Sequence, residues 1–218
     1  MAAYDENNRG MNLRKITLMK VTAVVFLGLV AFYFAPVGIP HKIAFPVAVL
    51  AVGSLWLRQP LLALAFLLSA LGDLAGSCHN FILQMGAFAV AHVAFVVCFA
   101  CELLKKQARV SSGRLVGVSV LCSLLCTVAF VFVVPEVSSG LVWGVGVYVV
   151  LILTMLWTAA VQGNVWLTLG ALLFVFSDFV LAWNKFVSPV RQAWLLIMIP
   201  YYAAQLFLFV GFMRKRIV

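Results

Sequence analysis

The sequence predicts an all-α polytopic membrane protein of eight transmembrane helices, with both termini cytoplasmic. Three observations lead there. Of 218 residues, 66% are hydrophobic and only 10% charged, more apolar surface than a water-soluble domain of this size can bury. The apolar stretches approach the roughly 20 residues that carry a helix across a hydrocarbon core. The alternation over about ten residues that marks membrane-spanning strands is absent.

Eight spans are read at 16–35, 42–58, 60–78, 81–103, 115–134, 138–160, 165–183 and 191–212. They form one membrane domain, 13–218, behind a polar segment, 1–12, expected to be flexible. The first span follows a basic flank, as a cleaved signal would. It is longer than a signal core, and Ala31-Phe-Tyr-Phe-Ala35-Pro36 is a poor cleavage site, so it is read as a retained helix. Spans two to four are joined by very short links.

The net charge of +9 reads as topology. Arg9, Arg14, Lys15, Arg58, Lys105, Lys106, Arg109, Arg114, Arg214, Lys215 and Arg216 fall on one side; Lys42, Lys185 and Arg191 fall on the other. Lys20, just inside the first span, can snorkel back. The positive-inside rule makes the first side cytoplasmic, and nucleic acid is not an expected partner. The compactness of the chain points to a bacterial inner membrane. Cys78, Cys98, Cys101, Cys122 and Cys126 are read as packing residues, because no histidine spacing completes a metal-binding set.

The hydrophilic link 105–114 separates two halves of four spans. An offset of 105 places Asp73 on Asp178, and with it Leu67–Asp73 (LLSALGD) on Leu172–Asp178 (LLFVFSD). Phe81 and Phe186 each follow eight residues later, and His79 falls opposite Asn184. Both acidic spans run in one direction, so a repeat would be parallel.

These two aspartates are the most informative residues. A carboxylate within a span costs at least a few kcal/mol unless it faces a protein interior or water. Each lies thirteen residues beyond the start of its span, at Pro60 and Val165, roughly 20 Å from the cytoplasmic edge at 1.5 Å per residue. Two acids at one level can face a single cavity. His92 near mid-span, Gln84 two turns before it, and Tyr201, Tyr202 and Gln205 on the last span lie close to that level. Asn80, Asn184, Lys185 and Arg191 lie at the outer mouth.

Plainer roles stand beside these. Ser69 and Ser177 suit hydrogen bonds to helix carbonyls. Gly72 with Gly76, and Gly140 with Gly144, suit close helix packing. His92 fits a structural or a functional role equally. Lys185 and Arg191 are ordinary loop charges or phosphate contacts; Glu102, near a span end, can reach water, and Glu136 sits in a loop.

The motifs Gly72-Asp73, Ala91-His92, Ser177-Asp178-Phe-Val-Leu-Ala-Trp-Asn184-Lys-Phe186 and Tyr201-Tyr202-Ala-Ala-Gln205 resemble the YhhN-like lysoplasmalogenase family over roughly 20–212. The chain departs from the pattern at Cys78-His79-Asn80. The resemblance implies an eight-helix hydrolase that cleaves the vinyl ether of a lysoplasmalogen to a fatty aldehyde and a glycerophospho-base. Its partners would be a lysophospholipid substrate and membrane lipids, with no cofactor or metal.

Vinyl ether cleavage needs a proton donor for the terminal alkene carbon, an anion facing the oxocarbenium ion and a positioned water. Two carboxyls can divide these roles if their surroundings separate their proton affinities. Asp178 as donor with Asp73 as base or stabiliser, and the reverse, both remain open. His92 would relay protons or orient the water, Tyr201, Tyr202, Gln205 and Gln84 would line the pocket, and Asn184 and Lys185 would meet the headgroup. The alternative is a proton-coupled small-molecule or lipid transporter using the same aspartates; a third reading makes the acids mere helix ties.

Overall fold

Segments this apolar must satisfy their backbone internally, and each does so as a helix. The computed structural model describes residues 2–106 and 110–217, with side chains over 12–105 and 110–214. Eight α-helices follow one another among the described residues: α1 (Ala2–Phe34), α2 (Phe45–Trp56), α3 (Pro60–Ser77), α4 (Phe81–Lys106), α5 (Ser112–Phe132), α6 (Val142–Ala160), α7 (Val165–Ala182) and α8 (Ala193–Ile217). No strand occurs among the described residues. The expected flexibility of 1–12 falls almost wholly on side chains outside those described. So do the charges of Arg9, Lys106, Arg109, Lys215 and Arg216.

Seven helices are long and apolar enough to cross a membrane, and the eighth is the short one. With the 3₁₀ turn Lys42–Ala44 before it, α2 covers 42–56, about 22 Å. It nevertheless makes the whole return leg. Lys42 Nζ donates to the Ala35 carbonyl beyond the end of α1 (2.7 Å), while Gly53 packs against Thr22 of α1. The helices therefore alternate in direction. Phe34 meets Trp194 (5.8 Å between ring centres) and Phe26 meets Tyr202 (6.1 Å), so α1 and α8 are antiparallel and both termini lie at one end.

Local chemistry sets the ends that matter. Pro60 opens α3 in the first turn, where its missing N–H costs nothing. Asn164 caps α7 by accepting from the Trp166 N–H (3.0 Å), and its amide donates to the Gly211 carbonyl of α8 (2.9 Å). Gly170 and Gly211 then let α7 and α8 approach closely: a Cβ on Gly170 would stand 3.1 Å from the Ala204 carbonyl. Gly72 and Gly76 do the same for α3 against the Phe88 ring and the Gln84 amide. Gly144 approaches Met85, but Gly140 faces open space and serves no packing purpose.

The core is shared by α1, α2, α3, α4, α6, α7 and α8, with Phe26, Phe66, Phe95, Phe174 and Phe209 fully buried. Helix α5 stands outside it, packed chiefly on α6. Each pairing in the first half has a counterpart four helices on: α1 with α2 and α5 with α6, α2 with α3 and α6 with α7, α3 with α4 and α7 with α8. Both α3 and α7 carry their aspartate thirteen residues after the first helical position.

Candidate active site

A carboxylate in an apolar bundle needs a donor, and each aspartate has found a tyrosine. Asp73, buried on α3, accepts from Tyr201 of α8 (2.8 Å to Oδ2). Asp178, half-buried on α7, accepts at Oδ2 from Tyr148 of α6. Each carboxyl is thus held by its own tyrosine, on a different pair of helices.

Aromatic rings join the two halves. His92 is fully buried on α4 between Tyr148 (5.3 Å, near-perpendicular) and Phe174 (4.9 Å). Phe174 meets Tyr201 edge-on (5.5 Å), and Phe88 meets both Phe174 (6.1 Å) and Tyr201 (5.8 Å). Neither ring nitrogen of His92 has a well-formed hydrogen bond, and the Phe88 carbonyl one turn earlier is the acceptor it approaches. Gln205, one turn beyond Tyr201, is fully buried with no well-formed bond at either amide atom, and the Tyr201 hydroxyl is the polar group it approaches. Such buried polar groups are costly unless something polar joins them.

Space opens beside Asp178. A cleft of about 330 Å³ between α5, α6 and α7 is lined by Leu125, Ala129, Tyr148, Leu153, Leu172 and Asp178 among others. A smaller cavity, about 40 Å³, shares Tyr148 and Asp178 and reaches Gln84, Phe81 and Phe186. Asp73 lines neither, so the expectation that both acids face one cavity is revised: Asp178 faces the cleft, and Asp73 is buried with Tyr201 against the aromatic rings.

The remaining residues separate by position. Gln84 lines the small cavity. Lys185 lies over the Phe81 ring (5.3 Å), while Asn184 accepts from the Val190 N–H (2.9 Å) and shapes the loop. Both sit in a single π turn, Trp183–Val187, that extends α7 and re-aims them at the mouth. Tyr202 faces away: its hydroxyl donates to the Ile43 carbonyl (2.8 Å) and its ring packs on Phe26 and Tyr33 of α1. Ser69 bonds the Ala65 carbonyl (3.0 Å), but Ser177 crosses to the Ile197 carbonyl of α8 (3.0 Å), three residues before Pro200. Glu102 is buried and paired with Lys105 (3.7 Å) instead of reaching water.

Comparison with known proteins decides the family. The YhhN family model matches residues 31–212, which include every residue of this site. The chain belongs to the YhhN family. It is 35% identical over 182 residues to the human protein named lysoplasmalogenase TMEM86B, covering 78% of this chain and 73% of that one. It is 34% identical over 167 residues to the mouse protein of the same name, covering 74% and 66%. To bovine lysoplasmalogenase TMEM86A it is 29% identical over 228 residues, covering 92% and 89%. No solved structure matches.

In this YhhN chain, Tyr148 is the site residue that sequence reasoning missed. A tyrosine in an apolar span passes for an interface aromatic; the signal was a hydroxyl near mid-helix that needed a partner. Phe88 and Phe174 carried no signal distinct from the apolar background.

Proposed function

We propose that this protein is a lysoplasmalogenase, cleaving the vinyl ether of a single-chain lysophospholipid inside the membrane. The observation that carries the mechanism is the position of Asp178, a carboxyl at the wall of an apolar cleft, with Oδ2 engaged by Tyr148. Oδ1 is the oxygen left for a ligand. The relatives named as lysoplasmalogenases support the substrate class.

Protonated Asp178 delivers its proton to the alkene carbon distal to oxygen, and the ether oxygen's lone pair completes an oxocarbenium ion. Asp73, held by Tyr201, stabilises the cation from behind the aromatic rings. Water adds to the oxocarbenium carbon and returns a proton to Asp178. The hemiacetal then collapses: its hydroxyl proton is lost, the C–O bond to glycerol breaks, and glycerol oxygen takes up a proton. The sum is vinyl ether plus water to aldehyde plus alcohol. His92 and Gln205 are the buried polar groups placed to hold the water or pass its proton.

The bundle end that carries both termini also carries Arg14, Lys15, Arg58, Arg114 and Arg214, and by the positive-inside rule this supports reading that end as cytoplasmic. The matched helix pairings fit a parallel four-plus-four repeat. Aldehyde release from a lysoplasmalogen by purified protein tests the activity, with Asp73→Asn and Asp178→Asn alongside. Wild-type release, with each variant folded and slower by about a hundredfold or more, is expected. No aldehyde from well-folded wild type sinks the reading.

A further inference from the structure

The cleft beside Asp178 has a direction. Along α7 its lining runs from Ala182 at the outer end to Leu172, ten residues and about 15 Å. Asp178 and Tyr148 supply polar groups near its outer end, and Leu125, Leu153 and Leu172 close the deeper end. Its lips are exposed: Val128 of α5 and Phe176 of α7 show 39% and 47% of their surface, where lipid would surround the bundle. The gap exists because α5 packs on α6 and stands away from α7.

Toward the outer surface the polarity is reversed. The small cavity that shares Tyr148 and Asp178 leads to Gln84 and Phe186, and Lys185 sits over Phe81 at its rim. From outside inward the order is cation, amide, carboxyl, hydrocarbon wall. A lysophospholipid carries the matching order: phosphate, glycerol, chain junction, chain.

We propose that this cleft seats the hydrocarbon chain of the lysophospholipid, taken sideways from the bilayer between α5 and α7, with Leu125 and Leu153 limiting how deep the chain reaches. The identity of the bond held at Asp178 rests on the lysoplasmalogenase reading; the seat for the chain does not. A pocket of about 330 Å³ is at the small end for organic ligands, which fits a single chain. Access through the α5–α7 gap lets the chain move from lipid to protein without crossing water.

The test uses the full chain in lipid nanodiscs and a 1-O-alkyl lysophosphocholine with a diazirine at the chain end. This saturated ether cannot be cleaved by the proposed route, so labelling reports binding alone. Labelled peptides from 122–132 of α5, 145–153 of α6 and 172–182 of α7 are the expected result. Leu125→Trp fills the deep end from the least buried wall. Each methylene it excludes weakens chain binding by about fourfold, so labelling by the long probe should fall about tenfold while a shorter-chain probe still binds. Labelling confined to helices other than α5, α6 and α7, or no specific labelling of wild type, overturns the proposal. So does undiminished labelling of folded Leu125→Trp. Wild-type labelling decides alone if that variant does not fold. Cleft labelling without aldehyde release would sink the hydrolase reading and keep the seat; aldehyde release with labelling elsewhere would do the opposite.

Discussion

Tyr148 does two things at once: its hydroxyl donates to Oδ2 of Asp178 on α7, and its ring stands edge-on against His92 of α4. One side chain thus bonds to the acid at the cleft and walls in the buried imidazole behind it. Removing the hydroxyl separates these tasks. Tyr148→Phe keeps the ring and frees the carboxyl, so kcat for aldehyde release should fall by about ten- to a hundredfold, with KM little changed. Stability should move by only about 1 kcal/mol, the usual net value of one hydrogen bond. An unchanged kcat would reduce Tyr148 to packing.

Tyr201 and Tyr202 are neighbours with opposite duties. Tyr201→Phe leaves Asp73 buried without its donor and should cost about 1–3 kcal/mol, together with most of the activity. Tyr202→Phe loses a bond to the Ile43 carbonyl and should cost about 1 kcal/mol, with turnover within about twofold. Thermal unfolding in detergent and aldehyde release read both, and a reversed ranking of turnover would contradict the site.

Gly72 holds its place because the Phe88 ring occupies the space of a side chain; a Cβ there would come within 2.8 Å of it. Gly72→Val must push Phe88 toward Tyr201 and Phe174, at about 1–3 kcal/mol and with reduced turnover. Gly140→Ala, in open space, should stay within about 0.5 kcal/mol. Equal effects in a melting assay would refute the packing argument.

Asn164 caps α7 and ties it to α8 at the end remote from the cleft. Asn164→Ala should lower stability by about 1–2 kcal/mol and leave kcat close to wild type. A large kcat loss at unchanged stability would mean that this end communicates with the site.

What the sequence made legible depended on contrast. Asp73 and Asp178 stand out because charge is rare in apolar spans, and seven of the eight helices follow from length and hydropathy alone. Tyr201 was within reach because it shares a face with Gln205. Tyr202 was not separable from it by composition, although adjacent helical positions point about 100° apart. The Tyr148–Asp178 bond joins residues 30 apart on different helices, and helix pairing is not written in any local pattern. The cleft depends on how far α5 stands from α7. Helix α2 falls short of the expected 42–58 because Leu57, Arg58 and Gln59 form the turn into α3, with Arg58 at φ 58°.

Phe174 touches both His92 and Tyr201, so the two halves of the site rest on one ring. Substitutions around Asp73 and around Asp178 therefore share a mechanical support, and their energetic effects will not add. In a double-mutant cycle the two acids should report a coupling that neither their separation nor a direct contact explains, and that shrinks when Phe174 is cut back to leucine.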